Sequence, residues 1–234
     1  MIDSTNNTPL ISARGLKRYY HRGSEVVKAV DGIDLDIQRG EMVSILGPSG
    51  SGKTTLMNML SGLDAPDDGS LTINGREVAR LGEDELTEVR RGVLGFIFQK
   101  FHLLPTLSVR ENVELPLLFL HRKPDEKKTV EILEKVGLQD RAGHLPREFS
   151  GGQMQRVAIA RALITEPLLL IADEPTGNLD KANGEATFAI FRSLVEKQGM
   201  TILVTTHNTS LGSLSDRVIT LEDGRIASDE RNQL

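Results

Sequence analysis

Eight residues near the end of the first quarter of the chain, Gly47-Pro48-Ser49-Gly50-Ser51-Gly52-Lys53-Thr54, have the types and spacing of a phosphate-binding loop. Glycines let the backbone curl until successive N–H groups point at phosphate oxygens. A short apolar run, residues 42–46, leads into the loop, and a helical pattern over residues 53–60 leaves it. The positive end of that helix therefore faces the same anion. Lys53 adds a mobile charge for the β- and γ-phosphates, and the Thr54 hydroxyl can ligate Mg²⁺. Thr55, next in the same turn, belongs with the nucleotide contacts.

A second chemical signal follows in residues 168–172, five apolar residues that end in Asp173-Glu174. In a phosphate-loop fold, parallel strands deliver their C-terminal ends to the ligand crevice. Asp173 then stands beside Mg²⁺, holding it mainly through ordered water, and Glu174 orients or deprotonates the attacking water. A third signal is Phe149-Ser150-Gly151-Gly152-Gln153, which opens a helix over residues 153–163 carrying Arg156 and Arg161. This is a second glycine loop at a helix N-terminus, hence a second anion site. One nucleotide needs only one such cradle, so the second, a hundred residues away, makes sense if it serves a nucleotide bound to another subunit.

The elements that must hold these residues alternate between strand and helix. Strand-like alternation covers residues 10–16 and 26–37, flanking a polar turn at residues 21–25, and residues 94–98 read as a further strand. Residues 108–164 read as mostly helical, with segments at 109–120, 127–136 and 153–163 broken at Pro124, Gly137 and Pro146. Strand signals return at residues 168–172, 201–205 and 217–221, with a helix over 183–197; Glu222-Asp223-Gly224 turns the chain into a last strand. Residues 1–9 read as a frayed tail. The pattern predicts an α/β core carrying a helical insert.

Composition narrows the function. The 234 residues are 38% hydrophobic and 26% charged, an ordinary soluble balance. The formal net charge of −5 argues against a protein that coats nucleic acid. With no cysteine, disulfides, thiolate metal sites and cysteine nucleophiles are excluded. The polar first ten residues carry no signal-peptide core, and no apolar stretch approaches the roughly 20 residues that span a bilayer. Action at a membrane would require another chain to supply the spanning part. His21, His102, His121 and His144 show no metal spacing and are expected at the surface.

Taken together, these motifs resemble the ABC ATPase family, from about residue 10 to residue 221. Ser150-Gly151-Gly152-Gln153 is similar to its signature loop, Gln99 to its glutamine loop, Asn178-Leu179-Asp180 to the loop that crosses its dimer interface, and His207 to its switch histidine. Tyr20 falls where the family stacks an aromatic ring on adenine, with Tyr19 one place away. The resemblance implies a phosphate-loop NTPase core over residues 1–98 and 165–234 with an N-terminal antiparallel β subdomain. A helical signature subdomain is expected at about residues 99–164, all within one domain. It implies ATP and Mg²⁺ as cofactors, Gln99 and His207 as contacts to Mg²⁺ or γ-phosphate, and a head-to-tail dimer. Each ATP would lie between the phosphate loop of one copy and Ser150 and Gly152 of the other.

Narrower likeness points to the lipoprotein-release and macrolide-export branch. It rests on residues 56–60, 62–64, 95–99, 103–105, 111–117 and 175–180. The branch implies docking under a membrane permease with few spanning helices, at the inner face of the cell membrane. Residues 101–120, with Phe101, Leu103, Leu104, Leu107 and Leu118, lie where the family receives a coupling helix. Thr54 stands where serine is commoner and Asn208 where aspartate is usual. A non-transporting regulator of an envelope hydrolase or sensor would carry the same catalytic residues. A DNA-repair-type ATPase would need a very long coiled coil between residues 53 and 150, and none is present.

Overall fold

The computed structural model describes residues 8–232, so all but the last two residues of the expected N-terminal tail lie outside it. The chain opens with β1 (Ile11–Arg22) and β2 (Glu25–Ile37), paired antiparallel. In β2, Ile33, Leu35 and Ile37 point inward between Asp34 and Asp36, the alternation of a half-buried strand. β3 (Met42–Leu46) is buried at all five positions, as expected for a central strand covered on both faces. The loop that follows runs into α1 (Lys53–Leu60).

Residues 68–93 carry three elements that sequence pattern alone did not bring out: β4 (Asp68–Ile73), β5 (Arg76–Glu77) and α2 (Glu83–Val93). The hairpin turns at Asn74-Gly75, with φ of 49° and 78°, a pair suited to two left-handed residues in succession. Three acids begin α2, Arg90 and Arg91 end it, and only Leu86 and Val89 are buried, so its apolar face is narrow.

The second half contains β6 (Leu94–Ile97), α3 (Val109–Phe119), α4 (Glu126–Lys135), α5 (Gly151–Leu163), β7 (Leu169–Asp173), α6 (Lys181–Gln198), β8 (Thr201–Thr205), α7 (Thr209–Gly212), β9 (Arg217–Glu222) and β10 (Arg225–Arg231). The smaller sheet runs β2-β1-β4-β5, and the larger runs β10-β9-β3-β8-β7-β6. In the larger sheet β9, β3, β8, β7 and β6 are parallel, and β10 closes the edge antiparallel.

Two cores lie on opposite faces of the larger sheet. Val43, Ile45, Leu169, Ile171 and Leu203 pack with α1 and the small sheet. Met42, Leu170, Ala172, Ile202 and Val204 pack with residues of α3, α4, α5 and α6. The expected α/β architecture is therefore present, with the helices α3–α5 between β6 and β7. β3, β8 and β7 are adjacent, and Ile45 and Asp173 both register with Thr205. The loops after these three strands open at one level of one edge, and each carries a residue singled out for chemistry.

Candidate functional site

The loop after β3 depends on glycine where it presses against its neighbours. A Cβ on Gly52, whose φ is 100°, would stand 2.0 Å from the Ala29 carbonyl oxygen. One on Gly47 would stand 2.3 Å from that of Leu221. Gly52 also occupies the N-cap of α1 without any side-chain cap, and no acid lies in the first turn. The first N–H groups of α1 thus have no intrahelical acceptor and are available to an anion. Lys53 curls back over the loop, with Nζ 2.9 Å from the carbonyl oxygens of Gly47 and Pro48.

A cavity of about 470 Å³ opens over this loop. Ser49, Gly50, Gly52, Lys53, Thr54 and Thr55 line it from below, joined by Tyr20, Ala29, Gln99, Glu174 and His207 from other elements. The neighbouring tyrosines of β1 point different ways, as strand alternation requires. Tyr20 faces the cavity and its hydroxyl donates to Asp64 Oδ2 at 3.1 Å, while Tyr19 turns to Asp31.

The two carboxylates at the end of β7 have different roles in the geometry. Asp173 Oδ2 lies 3.5 Å from the Thr54 hydroxyl, and its Oδ1 accepts from Thr205 Oγ1 at 2.7 Å. A hydroxyl beside a carboxylate is a hard-oxygen donor set suited to Mg²⁺. Among the described residues no group of three or more His, Cys, Asp or Glu forms a metal cage. A divalent cation here would take the rest of its shell from phosphate oxygens and water, the usual habit of Mg²⁺. Glu174 sits in the left-handed region at φ 47°, uncommon for a residue with a side chain. Its N–H donates to Thr205 Oγ1 at 2.8 Å, and its Oε2 lies 2.9 Å from His207 Nδ1. One buried hydroxyl therefore fixes both acids.

Thr205 is the residue that sequence reasoning missed. It ends β8, whose three apolar residues lie between two threonines, and nothing local in the sequence ties it to the two acids. Ala29 carries no chemical signal at all, and it joins the cavity only because the β2 backbone lies against the loop.

Ser150, Gly151, Gly152 and Gln153 do not line this cavity. Ser150 caps α5: its Oγ accepts from the Gln153 N–H at 3.3 Å, and Gln153 Oε1 accepts from the Ser150 N–H at 3.0 Å. A Cβ on Gly152 would stand 2.0 Å from Asn183 Oδ1, so a larger residue here would have to displace the Asn183 side chain of α6. Asp180 caps α6 by accepting from the Asn183 N–H at 2.8 Å, and that hydrogen bond holds its carboxyl below the usual carboxylate range. Asp180 lies with His207 in a second depression of about 390 Å³. Asn208 caps α7 by accepting from the Leu211 N–H at 3.1 Å.

The apolar segment after Gln99 divides between core and surface. Leu103 packs against the helical core, whereas Leu118 and Phe119 are 62% and 70% exposed. Phe119, Pro116, Leu120, Leu63, Leu94 and Phe96 line a groove of about 510 Å³. His21, His102 and His121 are exposed, and His144 is half-buried edge-on to Phe149.

The family model described as ABC transporter matches residues 30–177. The chain is 48% identical over 224 residues to the macrolide export ATP-binding/permease protein MacB of Bdellovibrio bacteriovorus, covering 96% of this chain and 34% of that protein. It is 42% identical over 228 residues to the uncharacterized ABC transporter ATP-binding protein MJ0796 of Methanocaldococcus jannaschii, covering 95% of this chain and 97% of that one. The chain thus spans about a third of the length of the macrolide-export relatives it matches. A solved dimeric structure of MJ0796 superposes with a TM-score of 0.86 at 40% identity, over 96% of this chain and 99% of that one. A post-hydrolysis dimer of the same cassette bound to ADP and Pi gives the same TM-score, identity and coverage. Matched by the family model over more than half its length, and by relatives along nearly all of it, the chain belongs to the ABC transporter family as an ATP-binding cassette.

Proposed function

We propose that the chain hydrolyses ATP as one half of a head-to-tail pair of copies and passes the closing motion to a membrane permease. The observation that carries this reading is the split of the motif residues between two surfaces. Lys53, Thr54, Gln99, Glu174 and His207 converge on one cavity, while Ser150 caps a helix outside it. A cavity complete except for its second anion cradle calls for another copy to supply the cradle. The dimeric form of MJ0796 supports the same arrangement.

In this reading Tyr20 stacks on the adenine, and the loop from Gly47 through Ser51 and Gly52 wraps the phosphates. Lys53 turns from its own loop carbonyls to the β- and γ-phosphates. Thr54, Asp173 and Gln99 hold Mg²⁺, which when bound neutralises charge on the transferred phosphoryl group. Glu174, fixed by Thr205 and His207, aligns water for in-line attack. Ser150, Gly151, Gly152 and Gln153 of the second copy close the site across the interface, with Asp180 on the same seam. Loss of the γ-phosphate removes these contacts and reopens the pair.

Residues 99–164 form the unit that carries the signature to the partner's nucleotide. Among the described residues no helix is long and apolar enough to cross a membrane. In this reading the spanning segments are those of a permease of few helices that seats on the groove beside Phe119, with the cassette at the inner face of the membrane. The names of the macrolide-export relatives support this partner. The net charge of −5 favours no nucleic acid.

Mixing two inactive variants tests the shared site. Glu174→Gln and Ser150→Ala are each expected to be nearly inert. Their heterodimer contains one site with both lesions and one intact site, so the mixture should recover activity. A mixture as inactive as its components would show that Ser150 does not act across an interface.

A further inference from the structure

Gln99 leaves the end of β6 on a segment that, among the described residues, has no backbone-to-backbone hydrogen bond between residues 100 and 103. Side chains from elsewhere hold it instead. Arg161 of α5 donates to the carbonyl oxygens of Phe101 at 2.8 Å and His102 at 2.6 Å, and His102 sits at φ 48°. At the near end, the Asn178 side-chain amide donates to the Gln99 carbonyl oxygen at 3.0 Å. Asn178 lies in the loop between β7 and α6, four residues after Glu174 and two before Asp180.

The residue before it shapes the Gln99 side chain. A Cβ on Gly177 would stand 2.7 Å from Gln99 Nε2, so the missing side chain leaves room for the amide. Gly177 is itself tied to the site, because its N–H donates to the Glu174 carbonyl oxygen at 3.0 Å. The same short loop thus grips Gln99 by the backbone, bounds its side chain, and leads directly into Asp180.

We propose that Asn178 is a positioning residue that sets Gln99 for the metal-bound nucleotide, coupling the Asp180 loop to the metal side of the site. The inference rests on the assignment of Gln99 to Mg²⁺. Without the Asn178 amide, the near end of the segment is free, and ordering it becomes a cost of binding. Because the hydrogen bond is exposed, its loss leaves the fold intact and acts on ligand affinity alone.

Calorimetric binding of a non-hydrolysable ATP analogue, with Mg²⁺ and separately with EDTA, reads this directly. Asn178→Ala is expected to weaken binding in Mg²⁺ by about three- to ten-fold, the span of one modest hydrogen bond, and to leave binding in EDTA unchanged. Gly177→Ala, whose backbone is outside the left-handed region, should reproduce the effect by displacing the Gln99 amide. Combining Asn178→Ala with Gln99→Ala should be no worse than Gln99→Ala alone. If Gln99→Ala weakens Mg²⁺-dependent binding and Asn178→Ala does not, the coupling is wrong while the Gln99 assignment stands. If Gln99→Ala changes nothing, the metal assignment fails and the inference fails with it. Equal losses in Mg²⁺ and EDTA, or a lowered melting temperature, would make Asn178 structural and overturn the proposal.

Discussion

Chemistry at the end of β7 turns on a single hydroxyl. Thr205 Oγ1 donates to Asp173 and accepts from the Glu174 N–H, which stabilises the left-handed backbone at Glu174. Thr205→Val is nearly isosteric yet removes both hydrogen bonds, and should cost about 1–3 kcal/mol together with most of the turnover. Thr205→Ser should retain both, as judged by thermal melting and kcat. Glu174→Gln keeps the size of the side chain and the contact to His207 but removes the proton acceptor. Turnover is expected to fall by about 10²–10⁴-fold with nucleotide affinity preserved, and an ATP-bound dimer should accumulate on a sizing column. Normal hydrolysis by that variant would remove Glu174 from its role.

At the scale of elements, the phosphate loop is braced by strands distant in sequence. Gly224, in the turn between β9 and β10, donates its N–H to the Ser51 carbonyl and accepts from the Asp31 N–H. The Asp31 side chain joins the brace through Tyr19 of β1 and Arg225 of β10. Hydrogen bonds from Tyr19 and then Arg225 hold its carboxyl down at about 2, below the usual 3.8. A carboxyl depressed on folding stabilises the protein above its unfolded value and loses that contribution as pH falls through the folded one. The gap in urea midpoint between wild type and Asp31→Asn should therefore be full at pH 7 and shrink as pH drops from about 4 toward 2. A gap that does not change with pH would mean that Asp31 acts by shape alone.

For the whole molecule, the proposed function depends on what one copy lacks. The cavity over the loop has no signature residue in its wall, and Ser150 spends its hydroxyl capping its own helix. Composite sites predict an ATPase rate that climbs more steeply than linearly with protein concentration, up to the point where pairing saturates. A strictly linear rate that persists when the permease is added would favour a self-sufficient single copy. The exposed Leu118 and Phe119 beside the groove give the same molecule an apolar face apart from the cavity over the phosphate loop, and the proposed coupling to a permease would run through it.

Much of this was legible in the sequence because phosphate chemistry leaves local marks. Gly47 through Thr54, the paired acids Asp173 and Glu174, and the Ser150–Gln153 capping box are contiguous, and each implies its own strand end or helix start. The Asn74-Gly75 hairpin was equally local in its signal but carried no chemistry to draw notice. Other features had no local mark. That Tyr20 rather than Tyr19 faces the cavity follows from strand pleating, and that Ala29 closes one wall follows from β2 lying against Gly52. The sequence by itself marked the residues proposed to handle phosphate and metal, since Gly47 through Thr54 and the Asp173-Glu174 pair are particular residue types at fixed spacing. Only the tertiary structure decided that Thr205 fixes both acids, that Asn178 and Arg161 clamp the Gln99 segment, and that Ser150 lies outside its own copy's cavity, because each depends on strand order and register bringing distant residues within hydrogen-bond reach.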